Sequence, residues 1–220
     1  MPAEGRTVLV WDVYTRLFHW LTVALVAATY VTWRLNWMDW HALAGEALLA
    51  LLLFRLAWGF VGSETARFAR FLAPPRAVAA HLARLFHREA DEEISHNAAG
   101  GWMVLVLLAL LLGETLTGIV VSNDVADVGP LTNLMPARVA NLLTNLHAIL
   151  WEALLAAIAL HVVAIVLYAL VKGHSLLPPM VTGRKRFLTP SAPPRRASFA
   201  RAALVLVGSA AAAALLASFL

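Results

Sequence analysis

Apolar residues are concentrated in five long stretches of the chain, and polar and charged residues occupy the connections between them. The stretches cover roughly residues 16–33, 41–61, 100–121, 147–171 and 202–220. Each approaches the length of ~20 residues that a transmembrane helix needs. The pattern predicts an all-α integral membrane protein, in which a four-helix transmembrane bundle is followed by a C-terminal fifth transmembrane helix.

The connections divide this chain into three predicted parts. Residues 1–188 are predicted to form the bundle, and residues 202–220 the C-terminal helix. Residues 189–201 are rich in proline and arginine, which is typical of a loose linker on the cytoplasmic side. The first apolar stretch lacks a small-residue cleavage site, so we expect a retained helix rather than a cleaved signal peptide.

Composition supports a membrane protein and narrows the chemistry. The chain is 61% hydrophobic and 14% charged, whereas soluble domains carry about 25% charged residues. It has no cysteine, which excludes disulfides, thiolate-bound iron–sulfur clusters and covalent CxxCH haem attachment. The net charge of +4 comes from basic residues that flank apolar stretches. This distribution indicates membrane topology, so we expect no nucleic-acid partner.

The distribution of lysine and arginine predicts the orientation in the membrane. Of the 17 basic residues, 14 lie in residues 1–16 or in the connections 62–95 and 172–201. Only Arg34 and Arg138 lie in the connections on the opposite side. Cytoplasmic loops carry the excess of positive charge. We therefore expect a cytoplasmic N-terminus and, after five spans, a C-terminus on the outer side of the membrane.

Four histidines lie within the apolar stretches at matched depths. His19 is near the start of the first stretch, His41 begins the second, and His147 and His161 are fourteen residues apart in the fourth. Because helix direction alternates, His41 and His147 fall near the outer side and His19 and His161 near the inner side. Fourteen helical residues span about 21 Å and return to nearly the same face. We call these the outer pair and the inner pair.

Ionisable side chains are costly in lipid, so paired depths predict a function. Neutral imidazole is a good axial ligand of haem iron, and a flat macrocycle fits between the helices of a bundle. The pattern therefore predicts two non-covalent, bis-histidine haem b groups. Histidines that form interhelical hydrogen bonds or relay protons are the alternative interpretation of these positions.

Further residues are candidates for contacts with the haems. Gly45, four residues after His41, leaves the same helix face bare for a ring to approach. Arg55 falls at the inner depth on nearly the same face, and a propionate is the anion it would pair with. His96 precedes the third stretch and is a candidate haem-edge or quinone contact, or else a polar residue at a helix start. Glu114 is a candidate for a proton path or quinone contact.

Five stretches of the chain carry a set of motifs in a characteristic order. They are VWDVYTRLFHW (10–20), HALAGEALLALLLFRLAWGFVG (41–62), HNAAGGWMV (96–104), LHAILWEALLAAIALHV (146–162) and MVTGRKR (180–186). In this order they resemble the bacterial di-haem cytochrome b561 family, which includes the cytochrome b subunits of nickel–iron hydrogenases. The resemblance implies iron ligands at His19, His41, His147 and His161, and it places the family's helix 2 arginine at Arg55.

The chain departs from the family pattern in two places. It has Ser-His-Asn-Ala at 95–98, where the family often has Gly-His-Asn-Pro, and the resemblance does not account for the fifth helix. The resemblance implies electron transfer between the quinone pool and a redox partner, which we expect to be periplasmic, such as a hydrogenase or a c-type cytochrome. Superoxide oxidation at the outer haem with quinone as acceptor is an alternative within the family. A metal-ion or proton transporter, or a structural anchor subunit, is an alternative from another class.

Overall fold

The structure is a computed structural model of the whole chain, and it is almost entirely helical. It describes residues 6–84, 87, 93–121, 136–173, 175–187 and 192–218. Its elements in chain order are β1 (Arg6–Leu9), α1 (Val13–Arg34), α2 (Met38–Val61), a 3₁₀ turn (Glu64–Ala66), α3 (Phe68–Phe71), α4 (Pro75–Ala83), α5 (Ala98–Gly118), α6 (Ala137–Leu167), a π-helical turn (Tyr168–Lys172), α7 (Leu177–Thr182), β2 (Arg184–Phe187) and α8 (Phe199–Ser218).

Within the described residues, four helices are long and apolar enough to cross a membrane. They are Met38–Val61, Ala98–Gly118, Ala137–Lys172 and Phe199–Leu216. The protein is therefore a multi-pass membrane protein. α1 has 22 residues, enough to cross the apolar core at 1.5 Å per residue, but it is not among the four because several threonines, a histidine and two arginines dilute its apolar residues. Its role as a span stays a prediction.

Short polar side chains fix where three of the long helices begin. Asp12 Oδ1 accepts a hydrogen bond from Thr15 N (2.6 Å) before α1, and Asn97 Oδ1 accepts one from Gly100 N (2.7 Å) before α5. Ser198 Oγ accepts a bond from Arg201 N (3.3 Å) at the start of α8. Each side chain satisfies an amide that a helix N-terminus leaves without a partner, which is the role of an N-cap residue.

The fourth apolar stretch begins earlier than its hydropathy predicts. The expected start was residue 147, whereas α6 starts at Ala137. The amides of Val139 and Ala140 donate to Pro136 O at 2.8 and 3.2 Å, so the helix begins directly after a proline, a residue favoured around helix starts. The added turns contain asparagine, threonine and arginine, which lower hydropathy without breaking a helix. His147 therefore lies inside α6.

The residues divide into two compact units. Unit 1 consists of Met1–Leu17, Ala57–Leu105 and Ile158–Ala202, and unit 2 consists of Phe18–Leu56, Val106–Ala157 and Ala203–Leu220.

Unit 1 contains a two-stranded sheet that the hydropathy pattern did not predict. β1 and β2 pair antiparallel, with Val8 opposite Lys185. The amides of Val10 and Trp11 both donate to Gly183 O, at 2.8 and 3.1 Å. Gly183 has a φ of +79°, and an added Cβ would lie 2.7 Å from Trp11 O, so only glycine fits this crossing without strain. The sheet joins the 10–20 motif to the 180–186 motif.

The predicted loose linker is held in place within residues 192–201, the part that the structure describes. Glu64 N donates to Arg195 O at 2.9 Å, and Arg195 N donates back to Glu64 Oε2 at 3.0 Å. Ala197 N donates to Ser63 Oγ at 3.1 Å. We call these three hydrogen bonds the clasp. A segment rich in proline and arginine is predicted to be loose from its composition alone. The composition does not reveal the hydrogen-bond partners, which belong to the turn after α2. Residues 188–191 lie outside the described part.

Unit 2 contains the helix segments that carry three of the four candidate ligands. Tyr30 of α1 stacks on Trp151 of α6, with ring centroids 5.7 Å apart and planes inclined by 19°. An added Cβ at Gly113 of α5 would lie 3.1 Å from Leu150 Cδ1, so α5 and α6 approach closely there. Aromatic stacking and close helix approach fix the positions of the side chains between these helices.

Candidate functional site

His41 lies in the first turn of α2 and is fixed by a contact with α1. Its Nδ1 lies 2.9 Å from the backbone oxygen of Thr29. We assign the proton to Nδ1, because a carbonyl oxygen can only accept a hydrogen bond. In this neutral tautomer Nε2 carries the lone pair and can ligate a metal. The contact therefore fixes the ring orientation and leaves Nε2 available for a ligand.

His147 of α6 is fixed in the same way by α5. Its Nδ1 lies 3.0 Å from Glu114 O and 3.2 Å from Thr117 Oγ1. A carboxylate oxygen of Glu114, Oε1, is 3.5 Å away. The carbonyl again assigns the proton to Nδ1 and leaves the lone pair on Nε2. Both members of the outer pair thus present Nε2, although they are held by different helices.

The outer pair fits haem iron. Unit 2 contains both histidines. A Cβ added at Gly45 would meet nothing within 4 Å, which agrees with the predicted bare face beside His41. Metal-binding histidines usually donate their other ring N–H to a carbonyl or carboxylate, as both do here. Two imidazoles suffice for a metal whose remaining ligands come from a macrocycle.

A metal ion without a macrocycle needs a cluster of ligands from the protein itself. Among the described residues, no group of three or more His, Cys, Asp or Glu side chains is arranged to hold a metal ion.

The inner pair is divided between the two units. His19 of α1 belongs to unit 2, and its ring meets Trp20 edge-on with centroids 4.8 Å apart. His161 of α6 belongs to unit 1 and is partly buried. Their pairing therefore stays a prediction that rests on helix direction and depth.

Arg55 is a deeply buried charge in a membrane-spanning helix. Only 3% of its surface is exposed, and it lies fourteen residues after His41 on α2. A guanidinium at such a site needs an anion or several acceptors, because a charge without partners in a low-dielectric setting is costly. Its predicted pairing with a haem propionate stays a prediction.

His96 lies in an aromatic cluster of unit 1 directly before α5. Its ring centroid is 4.7 Å from that of Trp11 and 4.7 Å from that of Phe71. The alternative for His96 was a polar residue that starts the helix. The structure gives that role to its neighbour, because Asn97 is the N-cap of α5. The predicted contact of His96 with a haem edge or a quinone stays a prediction.

Sequence reasoning missed the residues that orient the outer pair. Thr29 acts through its backbone oxygen, which no side-chain pattern reveals. Thr117 and Gly118 had a signal in the GETLTG stretch at 113–118, because polar and small residues inside an apolar helix often mark a contact. A Cβ added at Gly118 would lie 3.1 Å from His147 Cε1. Only Glu114 of this stretch was singled out, for its charge.

The model of the prokaryotic cytochrome b561 family matches residues 10–183. The chain belongs to the prokaryotic cytochrome b561 family. A search of curated proteins finds no match to this cytochrome b561. The family match runs from the end of β1 to the end of α7, so α8 of this cytochrome b561 lies outside it.

Membership of the family gives this cytochrome b561 a general role. The family implies binding of haem b and points to electron transfer by a transmembrane protein. The matched region contains all four candidate iron ligands as well as Arg55, Gly45 and His96.

Proposed function

We propose that this cytochrome b561 binds two haem b groups and carries electrons between the quinone pool and a periplasmic redox partner, such as a hydrogenase or a c-type cytochrome. His41 and His147 are the axial ligands of the outer haem, and His19 and His161 those of the inner haem. Haem b supplies one-electron iron chemistry when bound. The protein lies in the bacterial inner membrane with its N-terminus in the cytoplasm.

The observation that carries this proposal is the contact with a backbone oxygen that Nδ1 makes in both members of the outer pair. Nδ1 of His41 and Nδ1 of His147 each lie about 3 Å from a carbonyl oxygen of a neighbouring helix. A histidine that only joined two helices would need no common ligating atom. Here both rings keep Nε2 for a ligand, in a pair of helices where a flat ring has room beside Gly45. This arrangement supports axial ligation over a purely structural role.

The other residues hold charge and position. Arg55 pairs with a propionate of the inner haem, which offsets the cost of both buried charges through charge-assisted hydrogen bonds. His96 contacts a haem edge or a quinone from the aromatic cluster that it forms with Trp11 and Phe71. Lipid covers the many apolar side chains that the long helices expose.

The test combines haem counting with redox titration of the purified full-length protein. We expect about two haem b per chain in a pyridine haemochrome assay and two components in the titration. His41→Ala and His147→Ala should lose the same component, and His19→Ala and His161→Ala the other one. His81→Ala is the matched control, because His81 lies on the short helix α4.

Three outcomes would contradict the proposal. One haem per chain would reject the two-site arrangement. A loss of the same component in His19→Ala and His41→Ala would reject the pairing by depth. A colourless protein, purified from cells that make haem, would favour metal-ion or proton transport through the membrane histidines.

A further inference from the structure

Thr117 contacts the candidate ligand His147 through an oxygen whose own hydrogen is already used. Thr117 Oγ1 donates to Gly113 O, one turn back in α5, at 2.7 Å, and lies 3.1 Å from Glu114 O. The same oxygen is 3.2 Å from Nδ1 of His147. Since the hydroxyl hydrogen points back along the helix, the lone pairs of Oγ1 remain for the Nδ1–H group. Thr117 is buried, so water does not compete for this contact.

His147 therefore donates one N–H to two nearer acceptors of α5, while Glu114 Oε1 lies farther from Nδ1 at 3.5 Å. The backbone oxygen of Glu114 is 3.0 Å from Nδ1, and Thr117 Oγ1 is 3.2 Å from it. A shared donor of this kind fixes the rotation of the ring about its own axis as well as its tautomer. A single acceptor would leave the ring plane more freedom.

Gly118 completes the seat of the imidazole. A Cβ built there would lie 3.1 Å from Cε1 and 3.5 Å from Nδ1 of His147. The first distance is tighter than ordinary van der Waals contact, so a methyl group would push the ring away from Thr117. The ring can approach α5 closely only because residue 118 has no side chain.

Thr115 shows that a back-bonded threonine does not by itself orient a ligand. It is buried in the same helix, and its Oγ1 donates to Leu111 O (3.0 Å) and Leu112 O (3.1 Å). These partners match those of Thr117 in spacing. Two residues turn an α-helix by about 200°, so Thr115 faces away from the side that carries Thr117. The two threonines differ chiefly in the contact with His147.

We propose that Thr117 is a positioning residue for the outer haem. It accepts a hydrogen bond from Nδ1–H of His147 and thereby tunes the midpoint potential of the iron. This inference rests on the proposed ligation by His147. An acceptor on Nδ1–H makes an imidazole a stronger electron donor to iron, which favours the oxidised state. Removing one of the two acceptors should therefore raise the midpoint potential of the outer haem.

The experiment compares Thr117→Val, Thr117→Ser and Thr115→Val in the full-length protein by redox titration, haem counting and electron paramagnetic resonance of the oxidised form. Valine keeps the shape of threonine and removes the oxygen, whereas serine keeps the oxygen. We expect Thr117→Val to shift the ratio of reduced to oxidised outer haem by about threefold to tenfold at a fixed applied potential, as suits the loss of one hydrogen bond. A tenfold shift corresponds to about 59 mV for a one-electron couple.

The expected pattern is specific to one variant and one haem. Thr117→Ser and Thr115→Val should keep the outer haem close to its original potential, and the inner haem should stay unchanged in all three variants. Thr117→Val should also change the resonance of the oxidised outer haem, because the plane of His147 gains freedom. Gly118→Ala should change the same resonance, since the added methyl displaces the ring.

Two results separate the failure of this inference from that of the proposed function. If Thr117→Val behaves like Thr115→Val while the outer haem is bound, Thr117 has only a structural role. If the unsubstituted protein lacks a haem whose ligand is His147, the proposed function fails instead. Should Thr117→Val not accumulate in membranes, Thr117→Ala removes the same oxygen with a smaller side chain, and the same comparison with Thr115→Val decides.

Discussion

The clasp offers a quantitative test of how the last helix is tethered. The carboxylate of Glu64 accepts a hydrogen bond from Arg195 N at 3.0 Å and forms an ion pair with Arg70 at 2.9 Å. A hydrogen bond to a charged group contributes about 1.5–3 kcal/mol when shielded from water, and an exposed ion pair about 0.2–1 kcal/mol. The Glu64 side chain is 27% exposed and that of Arg70 is 62% exposed, so both contributions are weakened by water. We therefore expect Glu64→Ala to destabilise the clasp by about 1 kcal/mol.

A loss of this size should be visible in limited proteolysis. Trypsin cleaves after arginine, and the clasp covers the backbone at Arg195. When opening is fast relative to cleavage, the cleavage rate follows the population of the open form. About 1 kcal/mol then corresponds to roughly fivefold faster cleavage at Arg195 and Arg196, since 1.36 kcal/mol is tenfold. The measurement is the rate at which the C-terminal fragment appears, followed by mass spectrometry of the detergent-purified full chain.

The controls isolate the role of the carboxylate. Glu64→Gln keeps an acceptor for Arg195 N but removes the charge, so its rate should fall between those of the unsubstituted protein and Glu64→Ala. Glu93→Gln removes an exposed carboxylate of the same unit that makes no contribution to the clasp. The reasoning is refuted if Glu64→Ala is cleaved at the same rate as Glu93→Gln.

Three further predictions concern pH, Arg55 and Gly45. The Arg195 amide, and more weakly the Arg70 guanidinium, lower the pKa of Glu64 below its ordinary value of 4.5. The carboxylate therefore stabilises the clasp above that pH and loses this effect as pH falls through the lowered pKa. The difference in melting temperature between the unsubstituted protein and Glu64→Gln should close on acidification from pH 6 to below 4.5, and a constant difference would contradict this. Arg55→Leu should loosen the inner haem or shift its midpoint potential in a redox titration, with a cost of about 1–3 kcal/mol for a buried group left without its partner. Arg55→Lys should have a milder effect because a point charge replaces a planar fork. An effect on the outer haem alone would mean that Arg55 has another partner. Gly45→Leu should lower the amount of outer haem per chain while leaving helix content unchanged by circular dichroism, because the space beside residue 45 is open; unchanged haem content would show that no ring occupies it.

Hydropathy alone located most of the helices, because a lipid-exposed backbone must satisfy its hydrogen bonds within one segment. The stretches at 41–61 and 100–121 differ from α2 and α5 by three residues or fewer at each end. The start of α6 was missed by ten residues, because its first turns are polar and hydropathy does not detect polar helix. α1 was also predicted, because its residues repeat with the period of a helix. Its composition is mixed, so it is less apolar than the four helices that are candidate membrane spans.

Candidate ligands were also accessible from the sequence, because histidine in an apolar stretch is costly and its depth follows from counting residues. The atoms that orient them were not. Thr29 acts through a backbone oxygen, and Thr117 acts because α5 lies beside α6 at His147.

The sequence by itself determined that this is a helical membrane protein of the cytochrome b561 family, with imidazoles at two depths. Those properties depend on residue type and spacing along one helix, which the chain fixes locally. Only the tertiary structure decided that β1 pairs with β2, that the segment around Arg195 is fastened to Glu64, and that Nδ1 of each outer histidine lies beside a backbone oxygen of another helix. These features depend on contacts between residues far apart in the chain, and such contacts exist only after the helices have packed.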